Sequence, residues 1–356
     1  MEQQQQEQTL RFAVIGCGYW GKNYVRLLRQ HPETACAWCC DASAETLGKI
    51  RGAYGDMNCA SSVEELLSVA KGQIDAVVVA LPASSHFDHV VPCLESGMHV
   101  LVEKPMALSS EHCAAMAAAA EKHQRCLLVG HTFVYNDRLA IAIDMMKREA
   151  IRFGDLHTMY SKRTNLGPIR KDTSVLWDLA AHDISIFQFI MKKLPTYVSC
   201  NTHRVMSDHA DVGFIALSYE GGIMAHVHVS WLDPQKERLT VFVGSGARIR
   251  FDDTDSSEPV KVYVKGHDGE QQGGVVENSY ASDSVTTRPL QIFRDGDIIS
   301  PSFPRREPLQ VQVSDFIHAI RSGCEPVSGG MLGRDVVKIL EAAEESAKSL
   351  GAPVYL

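Results

Sequence analysis

The sequence lacks any apolar stretch fit to span a bilayer. The continuously apolar run Ala76 to Leu81 falls far short of the roughly 20 residues a membrane helix needs. It also lacks a surplus of positive charge: 35 Lys and Arg stand against 43 Asp and Glu, for a net charge of −8. That balance argues against a nucleic-acid partner, and an anionic ligand would have to be met by a local basic cluster. Cysteines at metal-ligand spacing are missing too. The ten cysteines are irregularly placed, so no metal site is expected. Cys36-Ala-Trp-Cys39 does spell C-x-x-C, but it lies in a β-type run rather than opening a helix, which favours buried packing over redox chemistry. Reduced thiols in a chain of this length place the protein in the cytoplasm. Glu2 to Thr9 is polar and glutamine-rich, with neither a basic start nor an apolar core, and reads as a frayed tail rather than a signal peptide. No internal repeat or long linker is evident. What remains is ordinary globular composition, 45% hydrophobic and 22% charged, in 356 residues, enough for two domains.

The most informative stretch runs from Arg11 to Asp41. Phe12 to Ile15 is a short apolar β-type run that breaks into Gly16-x-Gly18-x-x-Gly21, and a helical pattern with Val25, Leu27 and Leu28 follows. Gly16 suits the tight turn, Gly18 a close approach to a pyrophosphate, and Gly21 close packing of helix on strand. An ordinary tight turn is the alternative, but the flanks match a dinucleotide-binding unit. A second β-type run, Thr34 to Cys40, ends in Asp41, about 20 residues past the last glycine, where an acidic side chain can accept ribose hydroxyls and repel a 2′-phosphate. The expected cofactor is NAD, held by Gly16, Gly18, Tyr19, Trp20, Gly21 and Asp41.

From residue 10 to 131, strand and helix signals alternate, ending in Ile74–Leu81, His99–Val102 and Cys126–Val129 as buried parallel strands. The expectation is an α/β Rossmann domain over 10–131 with a doubly wound parallel sheet. From 132 to 356 the pattern changes. A helix near Asn136–Glu149 and another at Trp177–Met191 are followed by several β-type runs, with a hairpin turn at Tyr219–Ile223 and two closing helices, Val311–Arg321 and Gly333–Ser349. This predicts an α+β domain with an open, largely antiparallel sheet that binds substrate and mediates self-association as a homodimer or homotetramer. Gly266 to Ser284, polar and glycine-rich, reads as a surface loop.

Two constellations can carry chemistry. Glu103-Lys104-Pro105 follows a strand of the nucleotide domain at the ligand-facing end of its sheet. Pro105 biases Lys104 toward an extended conformation and admits a cis bond. A lysine there can bind a hydroxyl under oxidation or the nicotinamide ribose, whereas a lone lysine elsewhere is usually a solvated charge. In Trp177-Asp-Leu-Ala-Ala-His-Asp183, Asp178 and His182 stand four apart and share a helix face, so the carboxylate can orient the imidazole for general acid/base work. The alternative is a capping Asp and a structural His. The loop Lys162–Lys171 adds four cations and Asn165; it reads either as a site for phosphate or sugar oxygens or as a solvated basic loop.

Together, Ile15-Gly-Cys-Gly-Tyr-Trp-Gly21, Ala80-Leu-Pro-Ala-Ser-Ser-His86, Glu103-Lys-Pro105, Gly130-His131 and Trp177–Asp183 resemble the Gfo/Idh/MocA family of sugar oxidoreductases over nearly the whole chain. The resemblance implies that Lys104, Asp178 and His182 are the catalytic set. Leu81, Pro82 and His86 then lie against the cofactor, with Glu103 near the nicotinamide end. More narrowly, Gly-Tyr-Trp-Gly, Arg163-x-Asn165-Leu-Gly167 and the Trp-Asp-Leu-x-x-His-Asp stretch are similar to the branch that oxidises C3 of UDP-N-acetylglucosamine or its uronic acid. That branch feeds a PLP-dependent aminotransferase for 3-amino sugars of surface polysaccharide. The likeness implies Arg163, Asn165, Arg170, Trp177 and His182 as substrate contacts. It leaves open whether Lys104 or His182 takes the proton, and whether the enzyme works as a ketosugar reductase. A dehydrogenase of free sugars or inositol, and a non-catalytic NAD-binding regulator, are the other readings.

Overall fold

The computed structural model describes residues 9–271, 290–294 and 296–356. In chain order the elements begin β1 (Leu10–Ile15), α1 (Gly21–Gln30), β2 (Thr34–Cys40), α2 (Ala44–Tyr54), β3 (Asn58–Ala60), α3 (Val63–Val69), β4 (Ala76–Val79), α4 (His86–Glu95), β5 (His99–Glu103), α5 (Ser110–Lys122) and β6 (Leu127–Gly130). They continue with α6 (Asp137–Lys147), β7 (Leu156–Thr164), α7 (Ala181–Met191), β8 (Tyr197–His203), β9 (Val212–Ser218), β10 (Met224–Ser230), β11 (Glu237–Gly244), β12 (Arg248–Asp252) and β13 (Val260–Tyr263). The last are β14 (Gly266–Gln271), β15 (Leu290–Arg294), β16 (Ile298–Ile299), α8 (Pro308–Ser322), α9 (Gly330–Lys348) and β17 (Val354–Tyr355).

The chain divides into two compact units. The first comprises the chain up to Asn136 with Ile184–Lys193 and Arg306–Glu341; the second comprises Asp137–Asp183, Leu194–Arg305 and Ala342–Leu356. In the first, six parallel strands run in the order β3-β2-β1-β4-β5-β6. That is the doubly wound order whose switch point falls between β1 and β4, where ligands bind beyond the strands' carboxyl ends. Every residue of β4, Ala-Val-Val-Val, is buried, as expected for a parallel strand covered on both faces. α8 belongs to this core. Phe316 packs edge-on against Phe12, with ring centroids 6.0 Å apart, and Val313 and Ile317 are buried with it.

The second unit holds a nine-stranded sheet, β16-β13-β12-β11-β7-β10-β9-β8-β17, antiparallel except for the β7–β10 pair. Its strands alternate. Met159, Val198, Ile215, Val227 and Phe251 are buried, while Phe214 and Met224 are exposed on the other face. The turn at Tyr219–Ile223 joins β9 to β10, with Gly221 and Gly222 both at positive φ as a tight hairpin requires.

The structure corrects one expectation here. Gly266–Gln271 is a strand paired with Leu290–Arg294, not a loop, and the remainder of that predicted loop lies outside the described residues. Polar, glycine-rich composition signals a loop only when no distant partner supplies a ladder. Gly266 meets a close approach: a Cβ there would lie 2.3 Å from Ser245 O.

Candidate active site

β1 delivers the chain to Gly16, whose φ of +84° reverses its direction. A Cβ at Gly16 would stand 2.7 Å from Ala80 O and 2.9 Å from Leu81 Cδ2, and one at Gly21 would stand 1.8 Å from Gly16 O. Two of the three glycines are therefore required by packing. Gly18 is different: no described atom lies within 4 Å of its Cβ position, so its open side is where a ligand can approach the backbone. No side chain among the described residues caps α1 at Trp20; the Lys22 and Asn23 N–H groups donate to Gly18 O and Trp20 O, and the positive end of the helix dipole at this turn suits a phosphate. Tyr19 and Trp20 are exposed at this turn, their rings edge-to-face at 5.4 Å.

Asp41 stands just past β2. Its Oδ2 accepts the N–H of Cys17 and its Oδ1 the N–H of Ser43, both at 2.8 Å. The carboxylate thus ties the glycine turn to the start of α2, and each oxygen keeps lone-pair capacity for a ribose hydroxyl. A left-handed turn, an uncovered Gly18, an uncapped helix end and a carboxylate acceptor fit a dinucleotide.

His86 is fully buried, with Nε2 2.8 Å from Leu81 O and Nδ1 3.0 Å from Pro105 O and 3.3 Å from Met106 O. Burial lowers its pKa, though the surrounding carbonyls oppose that. The ring therefore clamps the Leu81–Pro82 turn to the turn after β5, a role the sequence did not suggest. The Lys104–Pro105 bond is cis. Glu103, also buried, accepts the Tyr24 hydroxyl at Oε1 (2.7 Å) and the Lys104 N–H at Oε2 (3.1 Å). Burial pushes its carboxyl above the ordinary range, opposed by the Tyr24 donor and the Lys104 charge. His131, after β6, is completely buried, and neither ring nitrogen has a partner among the described residues. Burial, then the Lys104 charge, brings its pKa down to about 3, so the imidazole is neutral.

In the second unit, Trp177 and Asp178 do not sit on a regular α-helix as expected. Leu176–Ala180 forms a π-helical turn leading into α7, a distortion that recurs at functional sites. His182 and Asp183 open α7. Three of the four cations of the basic loop are already matched with acids. Lys162 pairs with Asp233 at 3.2 Å and with Glu237, Arg163 forks onto Asp183 at 2.8 and 3.0 Å, and Arg170 reaches Asp172 at 2.6 Å and Asp178 at 3.2 Å. Arg163 is buried, its fork taken by Asp183, so it ties β7 to α7 rather than presenting a cation to solvent. Asn165 Nδ2 donates to Gly167 O, and Trp177 is buried.

Residues 10–131 match the family described as "Oxidoreductase family, NAD-binding Rossmann fold", and residues 151–250 match "GFO/IDH/MocA C-terminal domain". The chain belongs to the Gfo/Idh/MocA family. It is an oxidoreductase whose first unit carries the family's NAD-binding domain. Among its relatives, UDP-N-acetylglucosamine 3-dehydrogenase of Acidithiobacillus ferrooxidans is 23% identical over 92% of this chain and 94% of its own length. Inositol 2-dehydrogenase of Rhizobium meliloti is 24% identical over 95% and 97%. The WlbA dehydrogenase of Bordetella pertussis, solved with NADH and UDP-GlcNAcA, shares the fold at a TM-score of 0.76, with 21% identity over 98% of this chain and 99% of that one. No helix among the described residues is long and apolar enough to cross a membrane.

Proposed function

We propose that the protein oxidises the C3 hydroxyl of a nucleotide-linked sugar of the UDP-N-acetylglucosamine type, or of its uronic acid, to a 3-keto sugar. The observation that carries this reading is the likeness to UDP-N-acetylglucosamine 3-dehydrogenase across almost the full length of both chains. Residues of the Gly-Tyr-Trp-Gly turn and of Trp177–Asp183 support it. NAD, when bound, supplies the acceptor for hydride from the carbinol carbon. Lys104 binds and polarises the C3 oxygen and contacts the nicotinamide ribose, His182 exchanges the hydroxyl proton, and Asp178 orients His182. Asn165, Arg170 and Trp177 serve the substrate. Arg163 serves it indirectly, through Asp183. Gly16, Gly18, Tyr19, Trp20, Gly21, Asp41, Leu81, Pro82 and Glu103 shape the cofactor site, with His86 fixing Leu81 and Pro82. The enzyme works in the cytoplasm as a homodimer or homotetramer, and its product goes to a PLP-dependent aminotransferase for surface polysaccharide.

A second reading, a free-sugar or inositol dehydrogenase, is favoured by the acid partners of Lys162, Arg163 and Arg170, which leave the loop less suited to a diphosphate. Melting with NAD plus UDP-N-acetylglucosamine, its uronic acid, or myo-inositol separates the two. Stabilisation and NADH formation with a UDP-sugar support the first reading; a response to inositol alone rejects it. Lys104→Ala and His182→Ala variants with wild-type turnover would remove the assigned roles.

A further inference from the structure

Among the buried polar groups of the first unit, Tyr24 and Gln312 have no part in the function proposed, yet both connect to Glu103. Tyr24, on the inner face of α1, is fully buried, and its hydroxyl donates to Glu103 Oε1 at 2.7 Å. The same hydroxyl accepts from Gln312 Nε2 at 3.0 Å, and Gln312 Oε1 accepts from Thr132 Oγ1 at 2.9 Å. Gln312 is also fully buried, inside the apolar sequence Val311-Gln-Val313 of α8. Glu103 Oε2 lies on the other side, taking the Lys104 N–H at 3.1 Å. Gly130 makes room for this carboxylate: a Cβ there would lie 3.3 Å from Glu103 Oε2.

A buried amide and phenol cost free energy that apolar side chains of similar size would not, unless every polar atom is matched. Here they are matched in series, and the series ends on one carboxylate. Because Gln312 donates to the Tyr24 oxygen, the Tyr24 proton points at Glu103. Burial, then the Glu103 charge, keeps the phenol well above its ordinary pKa, so it remains a donor at working pH. The titratable groups facing the set are Tyr24 on α1, Lys104 after β5, the neutral His131 after β6, and Tyr135, a phenol that donates to Asp315 of α8; Gln312 and Thr132 are uncharged.

We infer that Tyr24 and Gln312 are positioning residues that act through Glu103, fixing its carboxylate so that it anchors the main chain at Lys104. The inference rests on the role proposed for Lys104. Removing the Tyr24 hydroxyl leaves Glu103 with one donor fewer, so the carboxyl takes up a proton at higher pH.

The test compares wild type, Tyr24→Phe, Gln312→Leu, Glu103→Gln and the double variant Tyr24→Phe/Glu103→Gln, all with NAD bound. Infrared difference spectra read the protonated-carboxyl band, identified by its loss in Glu103→Gln, and need no substrate. The band is expected to emerge at higher pH in Tyr24→Phe than in wild type, with Gln312→Leu shifted in the same direction. In turnover, Tyr24→Phe should lower kcat about tenfold, the scale of one hydrogen bond to a charged group, with KM little changed and the acid limb of the pH profile moved upward. In the Glu103→Gln background the Tyr24→Phe change should add nothing. An unshifted band in Tyr24→Phe, or a kcat loss of equal size in both backgrounds, would overturn the inference. If wild type turns over no UDP-sugar, the nucleotide-sugar reading falls and the infrared arm still decides this one.

Discussion

At residue 21 there is no space for a side chain, since a Cβ would lie 1.8 Å from Gly16 O, whereas at residue 18 nothing described stands within 4 Å. The two glycines should therefore fail differently. Gly21→Ala forces α1 off the turn and should lose about 1–3 kcal/mol of stability, together with NADH binding. Gly18→Ala should keep the wild-type melting temperature and weaken NADH binding alone, as read by fluorescence titration. A Gly18→Ala protein with wild-type affinity would contradict the assignment of that open face to the cofactor. The buried histidines give a pH signature. His131 and His99 have folded pKa values of about 3 and about 4, lowered mainly by burial, below the roughly 6.5 of an unfolded histidine. As pH falls below about 6.5, the unfolded chain binds these protons first, so stability declines until the folded values are reached. The slope is about 1.4 kcal/mol per pH unit per group. Melting of His131→Leu between pH 4 and 7 should show a shallower decline than wild type; parallel curves would refute the neutral, buried state of His131.

The Arg163–Asp183 pair belongs to the scale of elements, because it joins β7 to the first turn of α7 within the second unit. Both partners are buried and the contact is bidentate. Removing one partner of such a pair typically costs about 3–5 kcal/mol, since the other charge is left buried. Arg163→Ala should therefore show its main effect in denaturant unfolding, not as a selective rise in KM for a sugar. A stable Arg163→Ala protein with a raised KM would return this residue to direct substrate contact. The neighbouring π-helical turn at Leu176–Ala180 carries Asp178. Nothing in Val175–Ala181 announces the wider turn, because Leu, Trp and Ala suit an ordinary helix as well.

On the scale of the whole molecule, the nine-stranded sheet leaves one face with Phe214 and Met224 exposed. Phe214 stacks on His228 with ring centroids 4.4 Å apart. Nine strands of two to nine residues, spaced about 4.8 Å apart with a rise of about 3.3 Å per residue, offer on the order of 800 Å², comparable to the roughly 800 Å² per partner of a standard interface. We expect this face to mediate self-association. Light scattering should report a dimer or tetramer for wild type and a smaller species for Phe214→Arg, whereas a monomeric wild type would exclude the idea.

What could be read from the chain alone is what is encoded locally. Glycines at fixed spacing, a β-type run ending in Asp41, β-branched strands and the period of the helices mark the Rossmann half, its NAD binding and the open, largely antiparallel sheet, because each signal depends on neighbours a few residues apart. Contacts across long separations leave no such pattern. Only the tertiary structure joined Glu103 to Tyr24, 79 residues away, and Tyr24 to Gln312, 288 residues away. It also turned Arg163 onto Asp183, 20 residues on, and paired Gly266–Gln271 with Leu290–Arg294. Gln312 did carry a faint signal, a polar residue between two valines on the buried face of α8, but which group it would satisfy depended on the fold. The sequence determined which chemistry the chain can carry; the packing decided which of its charges are committed to holding the structure.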